Sequence, residues 1–390
     1  MAEHNLEMGT FVRFSDTDFR LLVTAMWTHY SIDSVQGEVG ASLPYYFRYA
    51  NSEVTRVVVQ SSIHDTAVPK TISDLTEIIQ LLKSKVATPK MDLAYDETSR
   101  LPPDQALLDL VVRLMFATAC VTPGTIGGPI FKPAWKASET ITQYIDRVYP
   151  LSSDIPHDIR PIRMDKLRMS YLEAYANVHI QWTDHLSDHL VLLKGIAQKT
   201  LYIYAHPWFL RASLRNLGAI DFSLACSTAD STMVGCLPPR LIRETLRTFD
   251  VLFPAAGDPH SLSILIREVD GHSLDPYLLR SIQGDLEEHE HPRDALEPED
   301  ARALYQKYPY WADRLYDLWR EADDPMPVTN LERWSESRRN PRFTYWCAVV
   351  SIGVAIVFGL VANILGAMQL WISYCDWKNN SSLPVCDSGQ

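Results

Sequence analysis

One uninterrupted run of uncharged residues, 343–375, constrains the fold of this 390-residue chain more than any other feature. A transmembrane helix needs about 20 mostly apolar residues, because the hydrocarbon core of a bilayer is about 30 Å thick. Residues 347–370 satisfy that length, and aromatic residues, which favour the two interfaces of a bilayer, stand at both ends. These are Tyr345, Trp346, Trp371, Tyr374 and Trp377. The sequence therefore predicts one transmembrane helix, with the lipid bilayer as its partner.

Basic residues lie mostly on one side of this helix. Only Lys378 follows it, whereas four arginines precede it: Arg333, Arg338, Arg339 and Arg342. Because lysine and arginine are enriched in cytosolic flanks, we expect the large N-terminal part to be cytosolic and the tail to be lumenal or extracellular. The first ten residues lack the apolar core of a secretory signal, so we expect the last hydrophobic segment to direct insertion.

The tail carries candidates for two modifications. Asn379 and Asn380 begin overlapping N-x-[ST] motifs and are candidate glycosylation sites, although their position close to the bilayer would hinder the reaction. Cys375 and Cys386 would face an oxidising compartment and form a candidate disulfide.

Small residues recur along one face of the predicted transmembrane helix. Ser351, Ala355 and Gly359 follow a spacing of four, and Asn363 continues the same face. Such faces allow close helix approach, and an asparagine can hydrogen-bond across the contact. The face predicts self-association or a helical partner, although small residues are also common in any membrane helix.

Composition limits the function of the remainder. With 48 acidic and 36 basic residues the net charge is −12, which argues against a nucleic-acid partner. Hydrophobic residues make up 46% and charged residues 22%, as in globular proteins. We predict a region of unknown type at 1–95, a mainly helical domain at 96–330, a basic and aromatic juxtamembrane segment at 331–346, the transmembrane helix at 347–370 and a short tail at 371–390.

The hydrophobic pattern of the soluble part predicts a mainly α (α+β with few strands) fold. Apolar residues at helical spacing, together with cap signals, predict helices at 16–30, 71–86, 103–121, 138–148, 239–252 and 301–322. A further helix, or two, is predicted over 164–194. Strands are predicted at 54–60 and 199–205.

The densest polar cluster runs from His179 to His189. If this stretch is helical, His185 and His189 lie one turn apart with Asp188 beside them, a spacing that allows two imidazoles to reach one metal ion. The competing interpretation is an amphipathic helix with an Asp–His hydrogen-bond network and buried leucines. That interpretation is favoured, because no third ligand follows downstream and Asp188 is shorter than the glutamate that would act as a base.

Other motifs give little support to an enzyme. The acidic EEHEH stretch at 287–291 reads as a solvated loop rather than a chelating site. The glycine-rich loop at 123–129 lacks the Gly-Lys-[Ser/Thr] of a phosphate-binding loop, and Cys226 and Cys236 lack zinc spacing. The sequence therefore predicts no cofactor and no catalytic residue.

Several stretches carry a resemblance to a known family: PAWKASE at 133–139, QWTDHLSDHL at 181–190, LPPRLIRETLRT at 237–248, LFP at 252–254 and WSESRRNP at 334–341. Over residues 105–375 the chain resembles a group of filamentous-fungal proteins with a helical soluble region and a C-terminal transmembrane helix. The resemblance implies a membrane location and, from the occurrence of members near secondary-metabolism genes, a biosynthetic context. In that group asparagine often replaces His185, which weakens the metal hypothesis.

Two functions remain open at this point. The first is a single-pass membrane protein whose cytosolic helical domain acts through protein–protein contacts. The alternative is an enzyme or accessory factor in a membrane-associated biosynthetic pathway that uses the His179–His189 cluster.

Overall fold

The computed structural model describes residues 14–27, 38–64, 71–94, 105–121, 130–157, 160–195, 198–218, 226–254, 257–272, 274–276, 278–279, 297–325 and 341–378. Across these residues the fold is mainly α with one small sheet and a long apolar helix near the C-terminus, which confirms the predicted fold class.

The helices, in chain order, are α1 Asp16–Met26, α2 Glu38–His64, α3 Ile72–Ser84, α4 Lys90–Ala94, α5 Gln105–Phe116, α6 Ile141–Val148, α7 Met169–Ala176, α8 Pro207–Gly218, α9 Thr228–Met233, α10 Pro239–Leu252, α11 Pro259–His272, α12 Ala301–Lys307, α13 Ala312–Asp323 and α14 Pro341–Lys378. The strands are β1 Val178–Thr183, β2 Leu192–Lys194 and β3 Lys199–Tyr204.

The chain divides into two compact units, Met1–Met326 and Pro327–Gln390. In the first unit, helices from both sides of the predicted boundary at residue 95 share one hydrophobic core. α1 packs on α3, and both α2 and α3 pack on α5. Leu22, Ile79 and Val111, from α1, α3 and α5, are fully buried in that core.

Reciprocal caps fix the starts of four of the helices that the structure describes, α1, α3, α6 and α9. Ser15 accepts the N–H of Asp18 while Asp18 accepts the N–H of Ser15, and Thr71 with Asp74 repeats the arrangement at α3. Such capping boxes satisfy N–H groups that a helix start leaves unpaired. The third capping box lies at Thr140 with Gln143, so the cap of α6 lies two residues after the predicted cap at Ser138.

α2 overturns the predicted strand at 54–60. The β-branched residues there favour a strand locally, but the stretch lies inside a 27-residue helix. Tyr46, Ala50, Val54 and Val57 recur at helical spacing and are buried against the core. The hydroxyl of Tyr46 also donates to the backbone carbonyl of Leu114 in α5, at 2.9 Å. Tertiary packing therefore outweighs local propensity.

The predicted helix over 164–194 is also wrong. A 3₁₀ turn, Met164–Leu167, leads into α7, which ends at Ala176 with Asn177 as its C-cap. Asn177 has a left-handed φ of 53°, which turns the chain out of the helix into β1. A second 3₁₀ turn, Leu186–Asp188, separates β1 from β2.

The sheet has the strand order β1-β3-β2. β1 and β3 are parallel, with Val178 opposite Lys199 and Thr183 opposite Tyr204, whereas β2 runs antiparallel to β3. The strand predicted at 199–205 is therefore confirmed, but its parallel partner lies in a stretch predicted to be helical.

Buried ion pairs hold elements together at both sides of the core. Nζ of Lys194 and Nζ of Lys199 lie 2.6 Å and 2.7 Å from the two carboxylate oxygens of Glu321, which joins the sheet to α13. Nζ of Lys90 lies 2.5 Å from Oδ1 of Asp109 and joins α4 to α5. Because these carboxylates are almost fully buried, loss of one partner would leave an uncompensated charge.

The second unit contains α14. Its segment Val349–Tyr374 is 26 residues long and strongly apolar, and no residue in the most apolar stretch of this segment is buried. The predicted transmembrane span at 347–370 lies within this helix, so a segment long and apolar enough to cross a bilayer is confirmed.

Candidate functional site at the carboxyl ends of two parallel strands

The parallel pairing of β1 and β3 brings the ends of both strands to one edge of the sheet. The N–H of Ala205 donates to the carbonyl of Thr183 at 2.9 Å, which extends the pairing by one residue. Asp184 and His185 follow β1, and His206 follows β3 just before α8 begins. In parallel sheets, ligand sites commonly lie at the carboxyl ends of the strands.

Asp184 and His206 form a hydrogen-bonded pair at this edge. Oδ1 of Asp184 lies 2.8 Å from Nε2 of His206. The side chain of Asp184 is 54% exposed and that of His206 is 12% exposed, so solvent reaches the pair. Desolvation acts to raise the pKa of Asp184, but the hydrogen bond and charge of His206 outweigh it, so that the pKa lies below its usual value.

Aromatic rings connect this pair to α2. The ring of Tyr49 lies 6.2 Å from the ring of His185 and 5.8 Å from that of His206, between centroids. The ring of Tyr204 meets His206 edge-on at 5.6 Å. We refer to the residues joined by these and the following contacts as the strand-end cluster: Tyr49, Glu53, Arg56, Arg113, Asp184, His185, Tyr204 and His206.

A buried carboxylate forms the floor of the strand-end cluster. Oε2 of Glu53 lies 2.7 Å from Nε of Arg113 and its Oε1 lies 2.8 Å from NH1 of Arg56, so the carboxylate forms ion pairs with both guanidinium groups. Tyr49 donates its hydroxyl to the backbone carbonyl of Arg113 at 2.9 Å, which ties α2 to α5. Glu53 and Arg113 are almost fully buried, whereas about a third of Arg56 remains exposed.

His185 is the buried imidazole of the cluster. Its Nε2 lies 3.9 Å from the nearer carboxylate oxygen of Glu53, beyond hydrogen-bonding distance, and its Nδ1 has no partner. Burial, aided by the positive charge of Arg56, lowers the pKa of His185 to about 4, so the ring is neutral at pH 7. The buried hydroxyl of Tyr204 also has no hydrogen-bond partner.

His189 does not share a helix with His185, which contradicts the geometry on which the predicted metal site depends. Nδ1 of His189 accepts the N–H of Tyr204 at 3.2 Å, and its Nε2 lies 2.7 Å from Oγ1 of Thr248. Thr248 donates its own hydrogen to the carbonyl of Thr245, so it accepts the Nε2–H of His189. Burial lowers the pKa of His189 to about 3.

Asp188 and His179 are held in other ways. Asp188 accepts the backbone N–H groups of Ile130 and Phe131, both at 2.9 Å, and thereby anchors that segment. The exposed His179 lies on β1 and contacts Asn177 through Nε2 at 3.2 Å. Within the described ranges, no group of three or more His, Cys, Asp or Glu side chains is placed to hold a metal ion.

Sequence reasoning missed His206, Tyr49, Glu53, Arg56 and Tyr204. The usable signal was weak: a His-Pro pair follows the predicted strand at 199–205, as Asp-His follows Thr183. Recognising the site required knowing that 178–183 is a strand parallel to 199–204. Because 164–194 was predicted to be helical, the parallel pairing of 178–183 with 199–204 was not considered.

The predicted membrane-helix face lies on α14. An added Cβ at Gly359 would meet no atom within 4 Å, and Ala355 and Asn363 are exposed. The side chain of Cys375 and the residues Asn379, Asn380 and Cys386 lie outside the described residues, as does the EEHEH stretch.

Comparison with protein-family models, with curated proteins and with solved structures finds no match for this chain. The resemblance to a fungal family stays a prediction from the sequence.

Proposed function

We propose that this protein is anchored in a membrane by α14 and acts at the membrane surface through protein contacts of its soluble unit. The observation that carries the proposal is the fully exposed apolar segment Val349–Tyr374. A core helix of similar composition would be buried in its own protein, whereas every residue from Val349 to Tyr374 is exposed. A bilayer provides the missing apolar surroundings.

The charge distribution supports a cytosolic soluble unit. The arginines at 333, 338, 339 and 342 precede the span and only Lys378 follows it. In this orientation Asn379 and Asn380 enter the lumen or the exterior as candidate glycosylation sites, and Cys375 and Cys386 can pair there. A lumenal tail also leaves the strand-end cluster in a reducing, neutral compartment.

Protein contacts are proposed at two places. In the membrane, the face formed by Ser351, Ala355, Gly359 and Asn363 allows close helix packing. On the soluble unit, β1 is an outer strand of the sheet, and Tyr175 at the end of α7 is 69% exposed with its ring against Tyr171. Exposed aromatic side chains are frequent anchors in protein interfaces.

Extraction with alkaline carbonate tests the anchor. We expect the full chain to remain with membrane vesicles, and a chain ending at residue 340 to be released. A protease added outside sealed microsomes should digest the soluble unit and spare the tail. Release of the full chain by carbonate would contradict the proposal, and protection of the soluble unit would reverse the orientation.

A second candidate function is an enzyme or accessory factor in a membrane-associated biosynthetic pathway. The strand-end cluster favours it, with the Asp184–His206 pair in place of the predicted His185–His189 pair. A carboxylate that orients an accessible imidazole is a common arrangement for general acid–base chemistry. Metabolite profiling of cells that carry His206→Gln tests it: altered metabolites with normal protein levels would support the function, and an unchanged profile would oppose it.

A further inference from the structure

The apolar part of α14 is long for a single span. Between the aromatic residues Trp346 and Trp371, residues 347–370 extend over about 36 Å, at about 1.5 Å per residue. The hydrocarbon core of a bilayer is about 27 Å thick in the endoplasmic reticulum and about 32–33 Å in a plasma membrane rich in sterols and sphingolipids. The segment is therefore longer than either core, and it exceeds the thinner one by about 9 Å.

The tilt that each core demands distinguishes the two membranes. A straight segment of about 36 Å fits a core of about 27 Å only when it tilts by about 41° from the bilayer normal, whereas about 25° is enough for a core of 32–33 Å. Membrane helices tilt by about 20° on average, within a range of about 0–40°. The thinner core thus demands a tilt at the limit of that range, and the thicker core demands an ordinary one.

The charged residues that bracket the helix give the same result. Arg342 and Asp376, the nearest charged residues on the two sides, are about 51 Å apart along the helix axis. A whole bilayer with its headgroups is about 40–45 Å thick. In a thin bilayer, apolar side chains between these charges would be left in water, among them Ile372, which is exposed on α14.

The protein itself offers no relief of this excess length. α14 is helical without interruption from Pro341 to Lys378, and residues 347–370 contain neither proline nor an adjacent Gly–Ser pair, where sharp kinks usually occur. Every residue from Val349 to Tyr374 is exposed, so no protein surface among the described residues covers an apolar end of the segment. The bilayer must therefore match the helix.

We infer that α14 is matched to a thick bilayer, with a hydrocarbon core of about 32–33 Å or more, of the kind that sterols and sphingolipids form. The partner of this surface is a membrane of defined thickness, because each ångström of mismatch between helix and core costs free energy. The inference rests on the membrane anchor proposed above and deepens it by naming the class of membrane.

The lipid selectivity of the full chain tests this inference. The chain is reconstituted in dioleoyl phosphatidylcholine with brominated acyl chains, and bromine quenches tryptophans near the lipid, among them the exposed Trp371 and Trp377. Recovery of fluorescence on addition of a second phosphatidylcholine gives the relative binding constant of that lipid. We expect this constant to rise severalfold from the short-chain dimyristoleoyl lipid to the long-chain dierucoyl lipid. Equal constants, or a higher constant for the dimyristoleoyl lipid, would overturn the inference.

Two variants separate the length of the segment from its sequence. Deletion of residues 354–357 shortens the segment to about 30 Å, which a core of about 27 Å accommodates at a tilt of about 26°. We expect the shortened chain to lose the preference for the dierucoyl lipid. Insertion of four leucines after Leu365 of the shortened chain restores the length with a different sequence, and the preference should return. A length-restored chain that behaves like the shortened one would overturn the inference, because sequence and not length would then set the preference.

The same three proteins can be located in a eukaryotic host cell by fluorescent labelling of the soluble unit. We expect the natural and length-restored chains to reach the plasma membrane and the shortened chain to remain in the endoplasmic reticulum, whose bilayer is thinner. A natural chain that resides in the endoplasmic reticulum would contradict the assignment to a thick membrane.

Alkaline carbonate extraction of the same vesicles distinguishes this inference from the anchor on which it rests. A chain that stays with the vesicles but shows no preference for acyl-chain length keeps the anchor and rejects the match to a thick bilayer. A chain that carbonate releases rejects the anchor, and the inference fails with it.

Discussion

Nε2 of His189 donates to Oγ1 of Thr248 at 2.7 Å, across 59 residues of sequence, while Nδ1 of the same ring accepts the backbone N–H of Tyr204 at 3.2 Å. The bond accepted at Nδ1 requires a neutral imidazole, because a proton on Nδ1 would face another donor. His189 therefore joins β3 to α10 and is a structural residue whose protonation opposes folding.

Stability should accordingly fall in acid. Burial lowers the pKa of His189 to about 3 in the folded chain, against about 6.5 when unfolded. Its contribution is present above about pH 6.5 and is lost as the pH falls toward 3, with a slope of at most about 1.4 kcal/mol per pH unit. We expect denaturant titrations of the full chain in micelles to show a shallower slope in His189→Gln. The slope that remains in His189→Gln includes the contribution of His185, whose pKa burial lowers to about 4. The control, His260→Gln at an exposed position, should leave the free energy of unfolding at pH 7 unchanged.

Glu244 should give the opposite pH dependence of stability. Burial raises the pKa of Glu244 to about 7, although the N–H of Tyr310 and the charge of Arg240 act to lower it. Stability from this group is present below its unfolded pKa of about 4.3 and is lost as the pH rises through 7. Glu244→Gln keeps an acceptor for Tyr310 and should stabilise the chain at pH 8 by on the order of 1–3 kcal/mol.

The decisive measurement is the difference in free energy of unfolding between Glu244→Gln and the natural chain as a function of pH. Near pH 4.5, where Glu244 is protonated in the folded chain, the variant and the natural chain should have similar free energies of unfolding. Glu77→Gln, at an exposed position, provides the control and should have little effect at either pH. A destabilising effect of Glu244→Gln at pH 8 would show that the pairing with Arg240 outweighs burial.

Glu321 should be among the least replaceable residues of the soluble unit. Glu321→Gln leaves the buried ammonium of Lys199, and the partly exposed one of Lys194, without their carboxylate. We expect a loss of about 3–5 kcal/mol in the free energy of unfolding. Asp317→Asn removes a carboxylate from the exposed side of the same helix, where Arg320 lies 3.4 Å away, and should cost less than about 1 kcal/mol. Similar losses in both variants would contradict the role assigned to the buried pair.

In the membrane, the small-residue face should govern self-association. Gly359→Leu fills the space that close helix approach requires, so crosslinking in vesicles should yield less dimer. Gly353→Leu lies on a different face of α14 and should leave the dimer yield unchanged. Equal yields in all three proteins would show that this face makes no contact between copies of the chain.

Some elements were predictable because their signals are local. Pro239 at the start and Pro254 beyond the end bracket an amphipathic run, and α10 has the predicted bounds of 239–252. The apolar run in α14 is equally local, since its length and composition alone indicate a span. Neither element depends on a distant partner.

The sequence-based predictions of secondary structure are wrong where contacts between distant parts of the chain determine the structure. At 54–60 the β-branched residues favour a strand, but burial against α5 selects a helix. At 178–183 the apolar pattern fits a helix as well as a strand, and the choice depends on pairing with Lys199–Tyr204.

The candidate site was not predicted for the same reason: its residues come from distant parts of the chain. Asp184 and His185 were noticed as a local motif, but His206 and Glu53 come from other parts of the chain and meet them only in the folded unit. A spacing rule on one helix could not reveal a cluster built from α2, α5 and two strand ends.

The ion pairs of Glu321 also affect the order of events during synthesis. Translation makes Lys194 and Lys199 long before α13, so neither lysine can pair with Glu321 until most of the soluble unit has emerged from the ribosome. The ion pairs that join the sheet to α13 cannot form until Glu321 is available, shortly before the apolar segment of α14 follows. Completion of the soluble unit and delivery of the anchor to the membrane are thus close in time, and a stall before residue 321 would leave an unfinished core exposed to chaperones.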